Sequence, residues 1–356
     1  MNDIKYIGMD VHQGSIVIAV VDTSGKLVME SIIETRGETI LQFIRGLRGT
    51  LHVTFEEGVS ADWLHELLVP YVARVLVCDP RKNALLKSGN KNDRIDAHKL
   101  AGLLRAGLLT AVYHGESRGR LLKELACSYR ALTKDTTRVM NRLKSLYHSQ
   151  AIRCGGTQVY TQRHRQRWLE QLQETGACRR AERLYQQLDL LQPLRREARQ
   201  ELVTEACKSV AAARLRGIPF LGPVRVAVLL AIVETPFRFR TKRQFWSYVG
   251  LAIETRISGE YQMAGGRVQR TRKRVALRGL NPNHNCELKR LFKSMAVEAS
   301  TRLGPWHDWF TAKVNQGVRP EMVRLTLARK LAAITLAVWK KGRKYDDGEP
   351  LKSRAA

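Results

Sequence analysis

The chain has 356 residues, 44% of them hydrophobic, and carries 61 Lys+Arg against 33 Asp+Glu, a formal net charge of +28. That length and apolar content support two or three domains with real cores and exclude global disorder. A cationic excess of this size works against compaction unless a polyanion is the usual partner, which favours nucleic acid over an anionic membrane surface.

No apolar run reaches the roughly 18 residues that span a bilayer. Met1-Asn2-Asp3-Ile4-Lys5 has no apolar signal core, so a cytoplasmic, nucleoid-associated protein with no membrane partner is expected. Cys78, Cys127, Cys154, Cys178, Cys207 and Cys286 form no Cys-x-x-Cys pair, which argues against a zinc site or a disulfide framework.

In chain order, residues 4–10 read as a strand ending in Asp10. Ser15–Asp22 and Leu27–Ile33 are two more strands, with Ser24-Gly25 as the turn between them. A helix follows over 38–47, then a strand over 51–55 running into Glu56-Glu57-Gly58. A helix over 61–68 leads to a fifth strand over 72–78, closed by Asp79-Pro80. Lys91–Ala101 reads as the start of a helix with Leu100, Leu103 and Leu104 as its apolar stripe. A three-strand meander followed by alternating helix and strand predicts an α/β domain, 1–114, with a mixed sheet and helices on its faces.

Residues 115–212 change character. Leu121, Leu122, Leu125, Leu132, Val139, Leu143 and Leu146 recur at helical spacing between basic positions. The pattern predicts a helical, coiled-coil-like region with basic faces, broken or bent near Pro193. Residues 213–345 read as a mostly α domain. In it, Gly217-Ile218-Pro219-Phe220-Leu221-Gly222 looks like a helix-hairpin-helix turn, whose backbone N–H groups, with Arg225 beyond, suit phosphate. Arg256 and the run Arg267, Arg270, Arg272, Lys273, Arg274 are candidate nucleic-acid backbone contacts. Helices over 286–300, 306–314 and 321–340 follow, and 346–356 is a tail.

The acids carry the chemistry. Asp93 and Asp96 are three apart, one helical turn from each other on one face. A shared divalent cation relieves their repulsion, and Mg²⁺ takes one or two carboxylates while keeping positions for water and phosphate. Plain capping by Asn92 or Asp93 is the competing explanation. Asp10 ends the first strand and Glu56 follows the fourth; if those strands are neighbours their ends lie about 5 Å apart. An Asp10, Glu56, Asp93, Asp96 cluster suits two Mg²⁺ ions roughly 4 Å apart, the arrangement that clamps both oxygens of a phosphoryl transfer. Glu57 competes with Glu56, since neighbouring strand residues face opposite ways. Asp22, Asp62 and Asp79 are weaker competitors.

Gly8-Met9-Asp10, Glu56, Asn92-Asp93-Arg94-Ile95-Asp96-Ala97, Ile218-Pro219-Phe220-Leu221-Gly222, Gly250-Leu251 and Ser258-Gly259 occur in one order. In that order the chain resembles the DEDD transposases of the IS110 type, also called bridge-RNA-guided recombinases, over residues 4–340. The resemblance implies a RuvC-type, RNase H-like N-terminal domain with Asp10, Glu56, Asp93 and Asp96 as its metal tetrad. It also implies a C-terminal transposase domain with Ser258 as nucleophile. Excision and insertion of a mobile element would be guided by a non-coding bridge RNA that pairs with target and donor DNA. The assembly implied is a tetramer whose acids in one subunit serve the serine of another. A metal-only junction nuclease and a non-catalytic nucleic-acid scaffold are the alternatives.

Overall fold

The structure is a computed structural model and describes residues 3–81, 92–115, 119–256, 261–270 and 276–345. The chain divides into two compact units, Met1–Ser117 and Arg118–Ala356. Among the described residues no helix is long and apolar enough to cross a membrane.

The first unit is built on five strands: β1 (Ile4–Val11), β2 (Ser15–Val21), β3 (Leu27–Glu34), β4 (Thr50–Glu56) and β5 (Arg74–Cys78). Their order is β3-β2-β1-β4-β5. β1 pairs antiparallel with β2, and β2 with β3, whereas β1–β4 and β4–β5 are parallel. The mixed sheet expected from the meander is therefore present. Residues 16–21 of β2 are buried throughout, because both faces of that strand are covered.

Alternation decides which side chain meets which layer. Ile7, Met9, Val53 and Phe55 face one way and pack with α1 (Gly37–Gly46) and α2 (Ala61–Leu68) through Ile40, Ile44, Leu64 and Leu68. Tyr6, Gly8, Val17, Ala19 and Thr54 face the other way, toward α3 (Asp93–Arg105). The approach of α3 to β1 is as close as backbone allows. A Cβ on Gly8 would lie 2.1 Å from the Ala97 carbonyl oxygen and 2.5 Å from the Ala101 nitrogen. Asn92 caps α3, its side chain accepting from the Arg94 N–H at 3.3 Å. The other end is tied down by Arg105, whose Nη1 donates to the Thr23 carbonyl at 3.2 Å.

β3 is an edge strand, and Leu27, Val28, Met29 and Ile32 are all exposed. Glu30 and Glu34 interrupt that apolar surface, and the β2–β3 register shifts at Val20/Val21.

In the second unit, α4 (Arg120–Ser149) and α6 (Thr175–Cys207) form a long antiparallel hairpin; the short α5 (Arg165–Leu169) lies in the connection. Its tip has its own core, with Leu143, Leu146, Tyr147, Leu184, Tyr185 and Leu188. Tyr147 and Tyr185 share a hydroxyl–hydroxyl hydrogen bond of 3.1 Å, and Arg165 grips Asp189 with two hydrogen bonds of 2.7 and 2.6 Å. At its base, Leu202 and Ala206 join the main core of this unit.

The expected break at Pro193 does not occur: α6 runs through it. A proline inside a helix costs about 3 kcal/mol. Here both flanks are packed, 184–188 in the tip and 198–206 toward the base, and the helix continues.

The main core gathers α7 (Val210–Leu215), α8 (Pro223–Val233), α9 (Lys242–Tyr248), α10 (Cys286–Thr301), α11 (Pro305–Asn315) and α12 (Pro320–Lys341). α8 is apolar all round, as a helix at the centre of a core should be, with Val226, Ala227, Leu229, Leu230 and Val233 buried. The three closing helices match expectation to within one residue at each end.

Between α9 and α10, where the sequence suggests a loop or short hairpin over 255–260, lie four short strands, β6 (Ile253–Arg256), β7 (Tyr261–Ala264), β8 (Arg267–Arg270) and β9 (Ala276–Leu280). β6 pairs with β9, and β7 with β8. Gly265 and Gly266, at φ 58° and 72°, make the β7–β8 turn, whose two left-handed residues favour glycine.

Candidate functional site

The β1–β4 register carries the argument from fold to chemistry. Met9 sits opposite Phe55 in the parallel pair, and both side chains enter the α1/α2 core. Alternation puts the next residues along, Asp10 and Glu56, on the other side of their strands. The same parity sends Glu57 to the opposite face, where its Oε2 meets His114 Nε2 at 2.8 Å. His114 Nδ1 lies 2.8 Å from Asp62 Oδ1, so the ring is held between two carboxylates. Glu57 is thus engaged with His114, while Glu56, which the sequence favours as the second acid, follows Phe55 at the end of β4.

His114 titrates in a definite direction. Burial of its ring opposes the charge, but the Glu57 hydrogen bond and the charges of Glu57 and Asp62 outweigh it and raise the pKa above the ordinary 6.5. His65, stacked on His114 at 5.0 Å, goes the other way through burial and the neighbouring His114 charge. A raised histidine pKa stabilises the fold fully below the unfolded value and loses that contribution as pH rises through the folded value. Wild type should therefore lose more thermal stability than His114→Phe between pH 6 and pH 8.5. Parallel Tm–pH curves for the two proteins would refute the assignment.

On the α3 face, the close contact at Gly8 sets the first turn of the helix over the end of β1. Asp10 Oδ2 and Asp93 Oδ2 both approach His12 Nε2, at 3.3 and 3.6 Å. Asp10, His12 and Asp93 offer ligand atoms within 4.8 Å of one another, the one such group among the described residues. The Asp10 carboxyl is pushed above its ordinary value, chiefly by burial; His12 opposes this, and the charges of Asp93 and Asp96 add to it. Asp96 Oδ1 is buried without a hydrogen-bond partner, with Lys99 Nζ 3.6 Å away. Glu56 and Asp96 stand outside the three-residue group. Glu56 lines, with Val11, His12, Gln13 and Ser60, a cleft of about 560 Å³ at the strand ends.

This donor set fits a hard divalent cation. Carboxylate oxygens predominate, and burial with the charges of Asp93 and Asp96 disfavours the ionised Asp10 carboxyl, which a cation would offset. The competing acids have other employment. Asp22 accepts from Ser24 Oγ and the Lys26 N–H in a turn, Asp62 is engaged with His114, and Asp79 accepts from the Arg81 N–H.

His12 is the residue the sequence reading missed. The signal was present in Asp10-Val11-His12: alternation puts residues i and i+2 of an extended segment on one face.

In the second unit, Gly217 and Gly222 flank the α7–α8 turn, with Gly222 as N-cap and Pro223 as first helical residue. Ile218 and Leu221 anchor the turn in the core, and the space over Gly222 is open. Arg225 also has a structural role. Its Nη1 donates to Glu298 Oε2 at 2.7 Å and to the Phe220 carbonyl, so it ties the turn to α10. Arg267 is exposed at the start of β8, beside the Gly265-Gly266 turn. Arg256 and Arg270 close β6 and β8. Ser258, Arg272, Lys273 and Arg274 lie outside the described residues.

Two family models match the chain. One, described as a transposase of the DEDD IS110 type, matches residues 7–149; the other, described as the transposase IS116/IS110/IS902 family, matches residues 212–310. Together they span more than half of the chain, the first covering the acidic group and the second the α7–α8 turn and the four short strands. No curated protein matches it.

Proposed function

The chain belongs to the IS110 family of DEDD transposases, enzymes that act on DNA in transposition, and from that premise we propose a bridge-RNA-guided recombinase with a serine nucleophile. The observation that carries the reading is the meeting of Asp10 and Asp93, from β1 and α3, around one point at the end of an RNase H-like mixed sheet. DEDD enzymes use divalent metal, and Asp10, Glu56, Asp93 and Asp96 are the side chains that would hold two Mg²⁺ ions here. Bound there, the ions supply Lewis-acid polarisation of the scissile phosphate.

Ser258 Oγ attacks that phosphorus. One P–O bond to serine forms, one P–O bond of the strand breaks, and a sugar hydroxyl departs with the proton. The phosphoserine link keeps the bond energy for rejoining. Arg256 and Arg267 neutralise charge at the phosphate. The Gly217–Gly222 turn, with Arg270, Arg272, Lys273 and Arg274, holds nucleic-acid backbone without reading sequence. Residues 1–114, 115–212 and 213–345 act as catalytic, helical-spacer and nucleophile-bearing parts. A guide RNA pairs with target and donor DNA within a tetramer, and the charge of +28 suits those polyanions.

The test uses nicked target and donor DNA with RNA from the element's flanks. Wild type should form a denaturant-stable protein–DNA adduct that Ser258→Ala cannot form. Asp93→Asn should lose strand exchange while still binding RNA. Cleavage without any adduct would instead indicate a metal-only junction nuclease. Recombination by Asp93→Asn would indicate that the acids are not catalytic.

A further inference from the structure

We infer that His12 is a metal ligand, so that the ion shared by Asp10 and Asp93 sits in a mixed nitrogen–oxygen site that binds Mn²⁺ more tightly than the carboxylates alone would. The inference rests on the metal-dependent reading above and deepens it. Its basis is the placement of one ring nitrogen. His12 Nε2 stands 3.3 Å from Asp10 Oδ2 and 3.6 Å from Asp93 Oδ2. The 3.3 Å contact is a long hydrogen bond and the 3.6 Å one a looser ion-pair contact; neither is as short as the about 2.8 Å of a tight charge-assisted bond. Adjacent donors on an octahedral ion with bonds near 2.1 Å lie about 3.0 Å apart, and the three residues already offer ligand atoms within 4.8 Å of one another, so a cation entering among them asks for little movement.

The residue is also positioned from its backbone. The His12 N–H donates to the Ser15 carbonyl at 3.0 Å, and its own carbonyl accepts from Thr35 Oγ1 at 2.9 Å. These bonds fix the turn between β1 and β2 and aim the ring at the acids. The ring is half exposed, so an ion can reach it. Chemistry then tilts the preference. Mg²⁺ and Mn²⁺ both favour carboxylate, carbonyl and water, but Mn²⁺, the transition metal of the two, accepts an imidazole nitrogen more readily, so one histidine raises the affinity for Mn²⁺ relative to Mg²⁺.

The full-length protein, freed of metal, is loaded with Mn²⁺ and read by electron spin-echo envelope modulation, which detects a directly bound ¹⁴N. Mn²⁺ and Mg²⁺ affinities are measured in parallel. Wild type should show imidazole ¹⁴N coupling. His12→Gln should lose it, with Mn²⁺ affinity falling about tenfold or more and Mg²⁺ affinity little changed. Wild-type Mn²⁺ without nitrogen coupling, or coupling that survives in His12→Gln, overturns the inference while leaving the acidic site standing. Mn²⁺ binding unaltered in both Asp10→Asn and Asp93→Asn overturns the underlying reading instead.

Discussion

Adding one methyl group at Gly8 should disable the enzyme. The new Cβ would meet the Ala97 carbonyl oxygen at 2.1 Å, inside any real contact, and neither partner can yield because both are backbone. α3 must lift from β1, carrying Asp93 and Asp96 away from Asp10. Overpacking of this kind costs about 1–3 kcal/mol and sometimes more. A displacement near 1 Å at the acids costs on the order of a hundredfold in rate. Gly102→Ala, on the same helix, is the control. Nothing lies within 4 Å of a Cβ there, so the change should stabilise the helix by about 0.5–1 kcal/mol. Thermal melts of the two variants should move in opposite directions, and only Gly8→Ala should lose strand-exchange rate. A Gly8→Ala protein with wild-type Tm and rate would show that the close approach of α3 is not what places the acids.

Asp10→Asn should be more stable than wild type when metal is absent and should lose stabilisation by metal. The Asp10 pKa is raised above 3.8, through burial first and the Asp93 and Asp96 charges after it. Between the unfolded and folded values the native state holds more protons, so stability falls as pH rises through that window. At neutral pH the whole penalty stands, and asparagine removes it. Metal has the opposite effect on wild type: at a hundred times its Kd it contributes about 2.7 kcal/mol. Tm of both proteins, with and without Mg²⁺ or Mn²⁺, gives the comparison. A variant that melts below metal-free wild type yet gains as much from metal would contradict the role given to Asp10.

Much of the first unit was legible because its signals are local. Alternating apolar residues mark the strands, and the Leu100–Leu104 stripe marks the face of α3 that packs on the sheet. The sequence favours Glu56 over Glu57 because it follows Phe55; what no local signal announces is the engagement of Glu57 by His114, 57 residues later. His12 was hidden because its approach to Asp93, 81 residues later, depends on α3 lying over the end of β1. In the second unit the failures are long-range. Pro193 is overruled by packing at both ends of α6, which no local signal announces. The tie from Arg225 to Glu298, 73 residues later, has no local signal either. The sequence suggests a loop or short hairpin at 255–260, whereas the described hairpin turns at Gly265-Gly266.

The outer strand of the sheet has a consequence for the protein in bulk. β3 leaves a row of backbone groups open beside Leu27, Val28, Met29 and Ile32, and Glu30 stands in the middle of that surface. Valine at that position would leave residues 27–33 apolar and β-forming except for Ser31, the composition that seeds cross-β stacking. Glu30→Val should therefore drop the soluble fraction on expression while leaving the turnover of whatever stays dissolved unchanged. The glutamate guards against fibrils, a hazard that grows with every additional copy of the chain in the cell.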